Sequence, residues 1–425
     1  MVTHQVNSSY SGSTKYPDTL AVNDILQFNP TSTGRSGTIM TWTVPLSGKY
    51  KFTVAGAEGG KGTGYSASPG KGIIIEGTVD LKQGEIVRVL VGQQGGAHSN
   101  GGGGGGGSCT AVGSSLSSSK SLVIAGGGGG SSLNGNGANA SGGMSGTTGP
   151  SSSTPSGGTG GYGGYSVPAG SYRAGSGGGF YGDGQTVAYG SGSTTYSWET
   201  ATGSNSYAQG GRSFLNGGTG GYATSSARGG DGGFGGGGGN GYYTGGGGGG
   251  YSGGAAGNTD GYGGGGGGSA VSATRVTSSS IPGYNTGHGY VMIQLVELDT
   301  RPPTTPTNLK ISPSANNVYL TGETISISWD ASTDPDGDAV MYDVDLYNGS
   351  SWVSVASKIT SLSKDYVLPN GLNTTAAKIR VRAIDNKTAA SAYQESPVFT
   401  VRKQLLLVQD GDIIKTYKDG VWQTI

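Results

Sequence analysis

Three aspartates stand at alternate positions, Asp334, Asp336 and Asp338, around Pro335 and Gly337. Ca²⁺ prefers oxygen ligands, and a tight glycine turn can bring alternate carboxylates together. The bidentate glutamate of a helix-loop-helix calcium site is missing downstream. A charged loop with an Asp-Gly turn explains the same residues without a metal. The sequence therefore leaves two interpretations open: a calcium site at Asp334, Asp336 and Asp338, or no cofactor at all.

A second set of candidate residues consists of tyrosines in a region with little leucine. A tyrosine ring offers apolar contact area and its hydroxyl offers a hydrogen bond, the combination that dominates adaptable binding loops. The candidate ligand-binding residues are Tyr162, Tyr165, Tyr181, Tyr196, Tyr207 and Tyr222. The alternative is that these rings only cover the ends and flanks of a packed glycine structure.

Catalytic patterns in the sequence are weak. Gly250–Gly254 satisfies the G-x-S-x-G pattern of a nucleophilic serine, but no strand, turn and helix surround it. Few bases are available, since the histidines are His4, His98 and His288. A glycosidase needs paired carboxylates at a cleft. The glycine-rich region offers only scattered acids: Asp183, Glu199, Asp231 and Asp260. The sequence therefore predicts a protein that is not an enzyme.

Long runs of glycine dominate the part of the chain that must position the tyrosines. Glycine supplies 92 of the 425 residues. Its runs of five or more are Gly101–Gly107, Gly126–Gly130, Gly235–Gly239, Gly245–Gly250 and Gly263–Gly268. Composition alone is typical of a flexible linker, which cannot bury enough apolar surface to become ordered.

A packed arrangement of the glycine runs is the physical alternative. Glycine can form an extended left-handed helix with three residues per turn, and it keeps an N–H that can donate to neighbouring chains. Without Cβ atoms, the backbones can approach closely. Ordering costs about 1–2 kcal/mol per residue, so the runs need a conventional β framework as an anchor. Strand-like segments on both sides and the purity of the runs favour this polyglycine II bundle.

Alternating segments predict the β framework. Met40, Trp42 and Val44 share one face of a half-buried strand. The segments Ile73–Val79 and Ile86–Val91 are predicted to pair as a hairpin around the turn between them. After the proline-rich linker, short alternating strands over about a hundred residues predict a second sandwich, and Asp-Gly turns in the tail predict a β-meander.

The predicted fold class is all-β. A jelly-roll-like β-sandwich with an inserted polyglycine II helix bundle is followed by a fibronectin type III-like β-sandwich and a small C-terminal β-meander. The predicted boundaries are a polar N-terminal arm at 1–35, the glycine-rich domain at 36–298, the proline-rich linker at 299–306, the fibronectin-like domain at 307–403 and the meander at 404–425.

Several segments follow the order and separations of a known domain. They are Val44-Pro45 followed by Tyr50, Gly56–Gly62, Leu90–Gly95, Leu122–Ala125, Gly232–Phe234, Gly245–Tyr251 and Gly287–Ile293. Over roughly residues 36–298 the chain resembles the extracellular glycine-rich domain of the anaplastic lymphoma kinase and leukocyte tyrosine kinase receptors. This resemblance implies a jelly-roll-like sandwich carrying hexagonally packed polyglycine helices. Those receptor domains carry disulfides, whereas Cys109 is the single cysteine here, so the fold is expected to carry over and the signalling is not.

Two further resemblances concern the rest of the chain. The region 300–403 is similar to a fibronectin type III domain, with Trp329 as the expected core tryptophan. The tail Asp412–Trp422 resembles short terminal modules in structural proteins of phages that infect Gram-positive bacteria. Polyglycine sandwiches also recur in phage tail-fibre adhesins. Together these resemblances imply a virion protein.

Charge and hydropathy exclude some partners. With 25 basic and 25 acidic residues the formal charge is zero, which predicts no nucleic acid. Apolar stretches long enough for membrane insertion are missing, and the start does not look like a signal peptide. We therefore expect a non-enzymatic tail-fibre or appendage protein of a phage virion, attaching to a host glycan or cell-wall polymer. Its expected partners include other virion proteins and further copies in a homotrimer. The alternatives are a bacterial cell-surface adhesin or matrix protein, and a cell-wall or glycan depolymerase.

Overall fold

The computed structural model describes most of the chain in two compact units, Met1–Leu298 and Asp299–Ile425. The described residues are 2–6, 20–30, 32–64, 66–150, 155–166, 173–188, 195–196, 207–223, 229–258, 261–299, 301–313, 316–403, 406–410, 413–418 and 421–424. Within these ranges the protein is all-β: it has 26 strands and no helix. Accordingly, no helix in the described ranges could span a membrane.

The first unit contains fourteen strands. They are β1 (Thr3–Val6), β2 (Ile25–Phe28), β3 (Met40–Thr43), β4 (Gly48–Ala55), β5 (Gly72–Leu81), β6 (Ile86–Leu90), β7 (Ser108–Val112), β8 (Lys120–Ala125), β9 (Thr186–Ala188), β10 (Thr195–Tyr196), β11 (Tyr207–Ala208), β12 (Ala270–Val271), β13 (Val276–Asn285) and β14 (Tyr290–Leu298). A six-stranded sheet has the order β1-β2-β14-β4-β5-β13, a five-stranded sheet has the order β12-β8-β7-β6-β3, and β9 to β11 form a small third sheet.

The two large sheets pack face to face around one apolar core. Met40 and Trp42 on β3 are buried, as their alternation predicts, and the Trp42 ring meets Tyr50 of β4 edge-on at 5.5 Å. Phe52 on β4 and Leu122 on β8 are fully buried in the same core. Burying side chains of this size contributes about 1.5–3 kcal/mol each. This sandwich is the framework that anchors the glycine runs.

The N-terminal segment differs from the polar arm that its composition predicts. Strands β1 and β2 pair in parallel, and β2 pairs with β14, which extends the six-stranded sheet. Leu26 and Phe28 on β2 lie fully buried in the core, and Leu20 is also buried. The cause is the short alternation Ile25 to Phe28, which is long enough to cover the edge of a sheet although polar residues surround it.

The predicted hairpin of Ile73–Val79 with Ile86–Val91 is wrong. These segments become β5 and β6, which lie in different sheets. Strand β5 pairs with β4 and β13, and β6 pairs with β3 and β7, so both edges of each strand are occupied by other partners. The four-residue connection carries the chain from one sheet of the sandwich to the other instead of reversing it within one sheet.

The glycine runs are packed and hydrogen-bonded, which excludes the linker interpretation for them. Residues 102–107 are buried and belong to no strand. Their N–H groups donate in rotation to three neighbouring segments, with N···O distances of 2.8–3.0 Å throughout; the acceptors are the carbonyl groups of Ser131, Gly96, Gly238, Gly128, Gln93 and Gly235 in turn. A rotation through three neighbours is what a helix with three residues per turn produces. We call the hydrogen-bonded glycine segments the glycine bundle.

The same rotation occurs along the six-glycine run 245–250. Successive N–H groups donate to Tyr262, Gly102, Gly175, Gly265, Gly105 and Gly178. Every third N–H therefore donates to the same neighbouring segment, and the acceptor lies three residues further along that segment each time. Because this run donates to 102–105 and that segment donates onward to 128–131, the hydrogen bonds connect the runs into one body. The polyglycine II assignment of individual runs stays a prediction.

Close backbone contact explains why these positions are glycine. A Cβ atom built on Gly104 would collide with the carbonyl oxygen of Gly247, and one on Gly128 would collide with that of Gly70. In both cases the obstacle is backbone, which cannot rotate away as a side chain can. Larger residues are thus excluded sterically, independent of backbone dihedral angles.

The second unit contains twelve strands. They are β15 (Thr307–Ser312), β16 (Val318–Leu320), β17 (Thr324–Asp330), β18 (Val340–Tyr347), β19 (Trp352–Ile359), β20 (Ser363–Val367), β21 (Thr374–Asp385), β22 (Gln394–Glu395), β23 (Phe399–Arg402), β24 (Leu406–Asp410), β25 (Ile413–Lys418) and β26 (Val421–Thr424). One sheet is β15-β17-β20, a second is β16-β23-β21-β18-β19 with β22 beside β21, and β24 to β26 form an antiparallel meander.

The first two sheets of this unit enclose a separate core. Trp329 on β17 is 4% exposed and packs against the ring of Tyr342 on β18 at 5.4 Å, in the role that the sequence predicts for it. Val344 on β18 and Ile379 on β21 are fully buried beside them. The alternation along β17, β18 and β21 thus produces a β-sandwich. The loop between β17 and β18 carries the three candidate aspartates.

Candidate functional site

Two of the predicted tyrosines lie together on the first unit. Tyr162 is 62% exposed and Tyr181 is 46% exposed, and their ring centroids are 6.4 Å apart with planes tilted by 47°. We call Tyr162 and Tyr181 the tyrosine pair. Eighteen residues lie between them in the sequence, so the pair exists only because the glycine-rich region is folded.

Buried aromatic rings support the tyrosine pair from below. Tyr181 contacts Phe180 edge-on at 4.8 Å and Tyr251 at 6.4 Å. Phe180, which is fully buried, stacks on Phe214 at 5.1 Å. Aromatic pairs at these distances contribute about 0.5–1.5 kcal/mol beyond their buried area. The exposed rings therefore stand on a small apolar base of their own, distinct from the core of the sandwich.

Main-chain hydrogen bonds tie the tyrosine pair to the glycine bundle. The N–H of Tyr181 donates to the carbonyl of Gly161 at 2.8 Å, and the N–H of Gly253 donates to the carbonyl of Tyr162 at 3.0 Å. Gly160 and Gly161 have φ values of +59° and +88°, a left-handed turn that favours glycine. This turn reverses the chain just before Tyr162 and leaves its ring in solvent. The backbone of both tyrosines is thereby held in place.

The arrangement leaves about half or more of each tyrosine exposed to solvent, with the two rings tilted against each other. Ring faces can pack on apolar C–H surfaces, and hydroxyls can donate to or accept from a polar ligand. The tyrosine pair is therefore suited to contact a ligand that has both apolar and hydroxyl surfaces.

The other four predicted tyrosines lie elsewhere. Tyr165 is 51% exposed, outside the ring contacts of the pair. Tyr222 is covered on one face by the guanidinium of Arg35, whose carbon is 3.3 Å from the ring centroid, a cation–π contact. Tyr196 and Tyr207 belong to β10 and β11, and their side chains lie outside the described part of the structure. The structure thus brings only Tyr162 and Tyr181 together among the side chains it describes.

The three predicted aspartates do come together in the second unit. One carboxylate oxygen from each of Asp334, Asp336 and Asp338 lies within 4.8 Å of the others. Oδ1 of Asp334 accepts hydrogen bonds from the N–H groups of Asp336 at 2.8 Å and Asp338 at 3.1 Å. Gly337, with φ of +81°, provides the turn that these bonds close. We call residues 334–338 the acidic loop.

Two cationic side chains contact the acidic loop. Arg301 bridges Asp299 and Asp336, and Nζ of Lys387 lies 3.0 Å from Oδ2 of Asp338. Burial is the main reason that the pKa of Asp336 rises to about 6, and the nearby carboxyl of Asp299 adds to it. The loop is therefore an acidic site that is partly neutralised by its surroundings.

The residues of the catalytic patterns serve structural roles. Ser252 is fully buried, and its hydroxyl donates to the carbonyl of Met144 at 2.7 Å and accepts from the N–H of Gly161 at 3.0 Å. Nδ1 of His288 accepts from the N–H of Gln94 at 3.1 Å, and burial lowers its pKa. Burial also raises the pKa of the Cys109 thiol, which disfavours the reactive thiolate.

The scattered acids do not form a described catalytic pair. Oδ1 of Asp183 accepts from the N–H of Ser213 at 2.7 Å, and Oδ1 of Asp231 accepts from the N–H of Ala223 at 2.7 Å, so both brace turns of the backbone. Glu199 and Asp260 lie outside the described residues.

Sequence reasoning missed the residues that support each candidate site. Phe180 and Phe214 form the base of the tyrosine pair, and a signal existed, because phenylalanine is rare in this region and both follow glycine-rich stretches. Arg301 and Lys387, which contact the acidic loop, are distant from it in sequence. No local pattern marks them, and only the folded second unit places them there.

The chain is similar to known proteins over short parts of its length. No protein family model matches the chain. Over 57 residues it is 42% identical to the leukocyte tyrosine kinase receptor of the mouse, a match that covers 13% of this chain and 6% of the receptor. The chain therefore spans only a small part of the length of that receptor.

Solved structures similar to the chain include modules of the fibronectin type III kind. A Fn3-like protein from Clostridium thermocellum is 25% identical with a TM-score of 0.16, covering 25% of this chain and 98% of that one. The FN1–FN3 domains of chicken CNTN1 are 11% identical with a TM-score of 0.19, covering 33% of this chain and 58% of that one.

Proposed function

We propose that this protein is a non-catalytic attachment protein that binds a surface carbohydrate through the tyrosine pair. The observation that carries the proposal is the exposure of Tyr162 and Tyr181 side by side, on buried rings and on a hydrogen-bonded backbone. Two tilted aromatic faces fit the alternating C–H and hydroxyl surfaces of sugar rings. A host glycan or cell-wall polymer is accordingly the proposed ligand class.

The glycine bundle gives this binding surface its rigidity. Loops that are ordered before binding lose less conformational entropy when the ligand arrives. Hydrogen bonds from Tyr181 and to Tyr162 fix both backbones on the bundle, so only ring torsions remain to be ordered. Several copies presented on one particle would add avidity to a weak single contact.

A phage tail fibre or appendage is the proposed setting for this surface. A homotrimer and contacts with other virion proteins belong to the same proposal, as does calcium-independent binding at the tyrosine pair. A bacterial cell-surface adhesin or matrix protein would use the tyrosine pair in the same way, and immunogold labelling of purified particles and of cells separates the two settings. Gold on particles supports the virion, and gold on cells alone supports the adhesin.

Binding of the full chain to purified Gram-positive cell walls tests the proposed ligand class. The double variant Tyr162→Ala with Tyr181→Ala should lose at least about tenfold in affinity, since stacked aromatic side chains contribute most of such contacts. Tyr284→Ala is the matched control, because Tyr284 is 53% exposed on β13 and lies outside the pair. Equal binding by the double variant and the control would contradict the proposal.

A turnover assay tests the non-catalytic part of the proposal. Incubation of the protein with the same cell walls should release no reducing sugars or peptide fragments, since Ser252 and His288 are occupied by structural hydrogen bonds. Fragment release that survives repeated purification would instead favour a depolymerase.

A further inference from the structure

The acidic loop contains a buried carboxylate, that of Asp338, whose Oδ2 is paired with Lys387 and whose Oδ1 lacks a partner in the described part of the chain. The side chain of Asp338 is 1% exposed, and its Oδ1 accepts no hydrogen bond from the described part of the chain. Oδ2 of Asp334 is also buried without a hydrogen-bond partner there. A buried carboxylate oxygen without a partner costs several kcal/mol if nothing compensates it. These two oxygens are therefore available to coordinate a cation at the loop.

The spacing of the carboxylates fits a large divalent cation. Ca²⁺ binds oxygen at about 2.3–2.6 Å, so two ligands on opposite sides of the ion are about 4.6–5.2 Å apart. The three candidate oxygens lie within 4.8 Å of one another, inside that limit. Mg²⁺ binds at about 2.0–2.1 Å and requires a tighter, near-octahedral set. The spacing therefore accommodates Ca²⁺, and the flexible coordination of this ion suits an open loop better than the strict octahedron of Mg²⁺ does.

The charges around the loop leave room for a cation. Four carboxylates, from Asp299, Asp334, Asp336 and Asp338, face the two cations of Arg301 and Lys387. Arg301 lies on the side of Asp299 and Asp336, and Lys387 contacts Oδ2 of Asp338. The unpartnered Oδ1 of Asp338 belongs to the same carboxylate, which can serve an ion and Lys387 together.

We propose that Asp334, Asp336 and Asp338 bind one Ca²⁺ in the loop between β17 and β18 of the second unit. The ion neutralises the buried oxygens of Asp334 and Asp338 and completes its coordination with water. Because Asp334 already organises the loop through two hydrogen bonds, little ordering is required for binding. Calcium thus stabilises the sandwich end at which this loop connects two strands.

Calorimetry on the full chain tests the site directly. After removal of metals with a chelator, titration with CaCl₂ should show one ion per chain, and the melting temperature of the second unit should rise with calcium concentration. Titration with MgCl₂ should show at least about tenfold weaker binding. The absence of heat and of a thermal shift at about 10 mM CaCl₂, above the range of weak extracellular calcium modules, would overturn the proposal.

Paired variants assign the binding to these carboxylates. Asp334→Asn keeps an oxygen that can accept the two loop hydrogen bonds but removes the charge, so the variant should fold and lose at least about tenfold in calcium affinity. Asp338→Asn should do the same. Asp365→Asn is the control, because Asp365 is exposed on β20 and should bind as the wild type does. Undiminished calcium binding by both loop variants would overturn the assignment.

Discussion

The glycine bundle and the sandwich of the second unit satisfy their backbones in different ways. In the sandwich, a central strand such as β21 hydrogen-bonds within sheets, and its alternate side chains, such as Ile379 and Val381, fill an apolar core. In the bundle, residues 102–107 donate in rotation to three neighbours and bury no side chain at all. Backbone contact in the bundle replaces the side-chain contact of the sandwich.

This difference determines where each region can carry exposed side chains. A sandwich can carry functional side chains on any outward position of a strand, as β19 and β20 do with their exposed residues. A glycine run has no side chain to present, so exposed side chains of the bundle must lie where the runs end or turn. Tyr162 follows the turn at Gly160 and Gly161, and Tyr181 follows Phe180 at the end of a glycine run. The tyrosine pair lies where this constraint requires it.

The largest expected effect concerns hydrogen exchange in the bundle. The amides of 102–107 should be protected by more than about 10⁴-fold, comparable to those of β21, since both sets are buried and hydrogen-bonded. Native-state exchange followed by mass spectrometry on overlapping peptides measures both regions in one experiment. If the amides of this run exchanged as fast as those of an unfolded chain, the run would not be a packed structure comparable to a sandwich.

The sequence predicts conventional strands better than it predicts the partners of glycine runs. Alternation at Met40 and Trp42 indicates both the strand and its buried face, because side chains distinguish the two sides. A run such as 102–107 has identical residues at every step, so nothing local specifies which neighbour each N–H meets. The connection between β5 and β6 is similarly uninformative, since four residues can close a hairpin or cross between sheets.

In the candidate sites, too, features set by local sequence could be predicted and features set by the tertiary fold could not. Spacing alone predicted that Asp334, Asp336 and Asp338 converge, because a glycine turn determines their geometry locally. Tyr162 and Tyr181 were each predicted as binding residues, but their pairing depends on contacts among distant glycine runs. Lys387 and Arg301 could not be predicted, since their positions at the acidic loop depend on the tertiary fold of the second unit.

The second-largest expected effect is a loss of stability when a glycine of the bundle is substituted, compared with a glycine of the second unit. Gly104→Ala forces a Cβ atom against the carbonyl of Gly247 and should cost more than about 4 kcal/mol of the unfolding free energy of the first unit. Gly371→Ala is the matched control in the second unit, because a Cβ atom there meets nothing within 4 Å, and it should change stability by less than about 0.5 kcal/mol. Chemical denaturation of both variants measures the difference. Equal stability of the two variants would show that the backbone of the bundle can shift to accommodate an added methyl group.

The smallest expected effect concerns acid and a single carboxylate in the sandwich of the second unit. Burial acts to raise the pKa of Asp343 on β18, but hydrogen bonds from Ser357, from the N–H of Lys358 and from Arg382 outweigh it, so the pKa lies below its ordinary value. A carboxylate with a lowered folded pKa contributes stability above its unfolded pKa of about 4, and this contribution is lost as the pH falls through the folded pKa.

Asp343→Asn should therefore reduce the acid dependence of the second unit. In the wild type, its unfolding free energy should fall below about pH 4 by less than about 1 kcal/mol on account of this residue, as the pair with Arg382 is partly exposed. The glycine runs carry no titratable side chains, so the hydrogen bonds of residues 102–107 should not respond to the same change in pH. Thermal melting between about pH 6 and pH 3 measures both units in one chain. An equal acid response in the wild type and in Asp343→Asn would mean that Asp343 is not the group whose protonation weakens the sandwich.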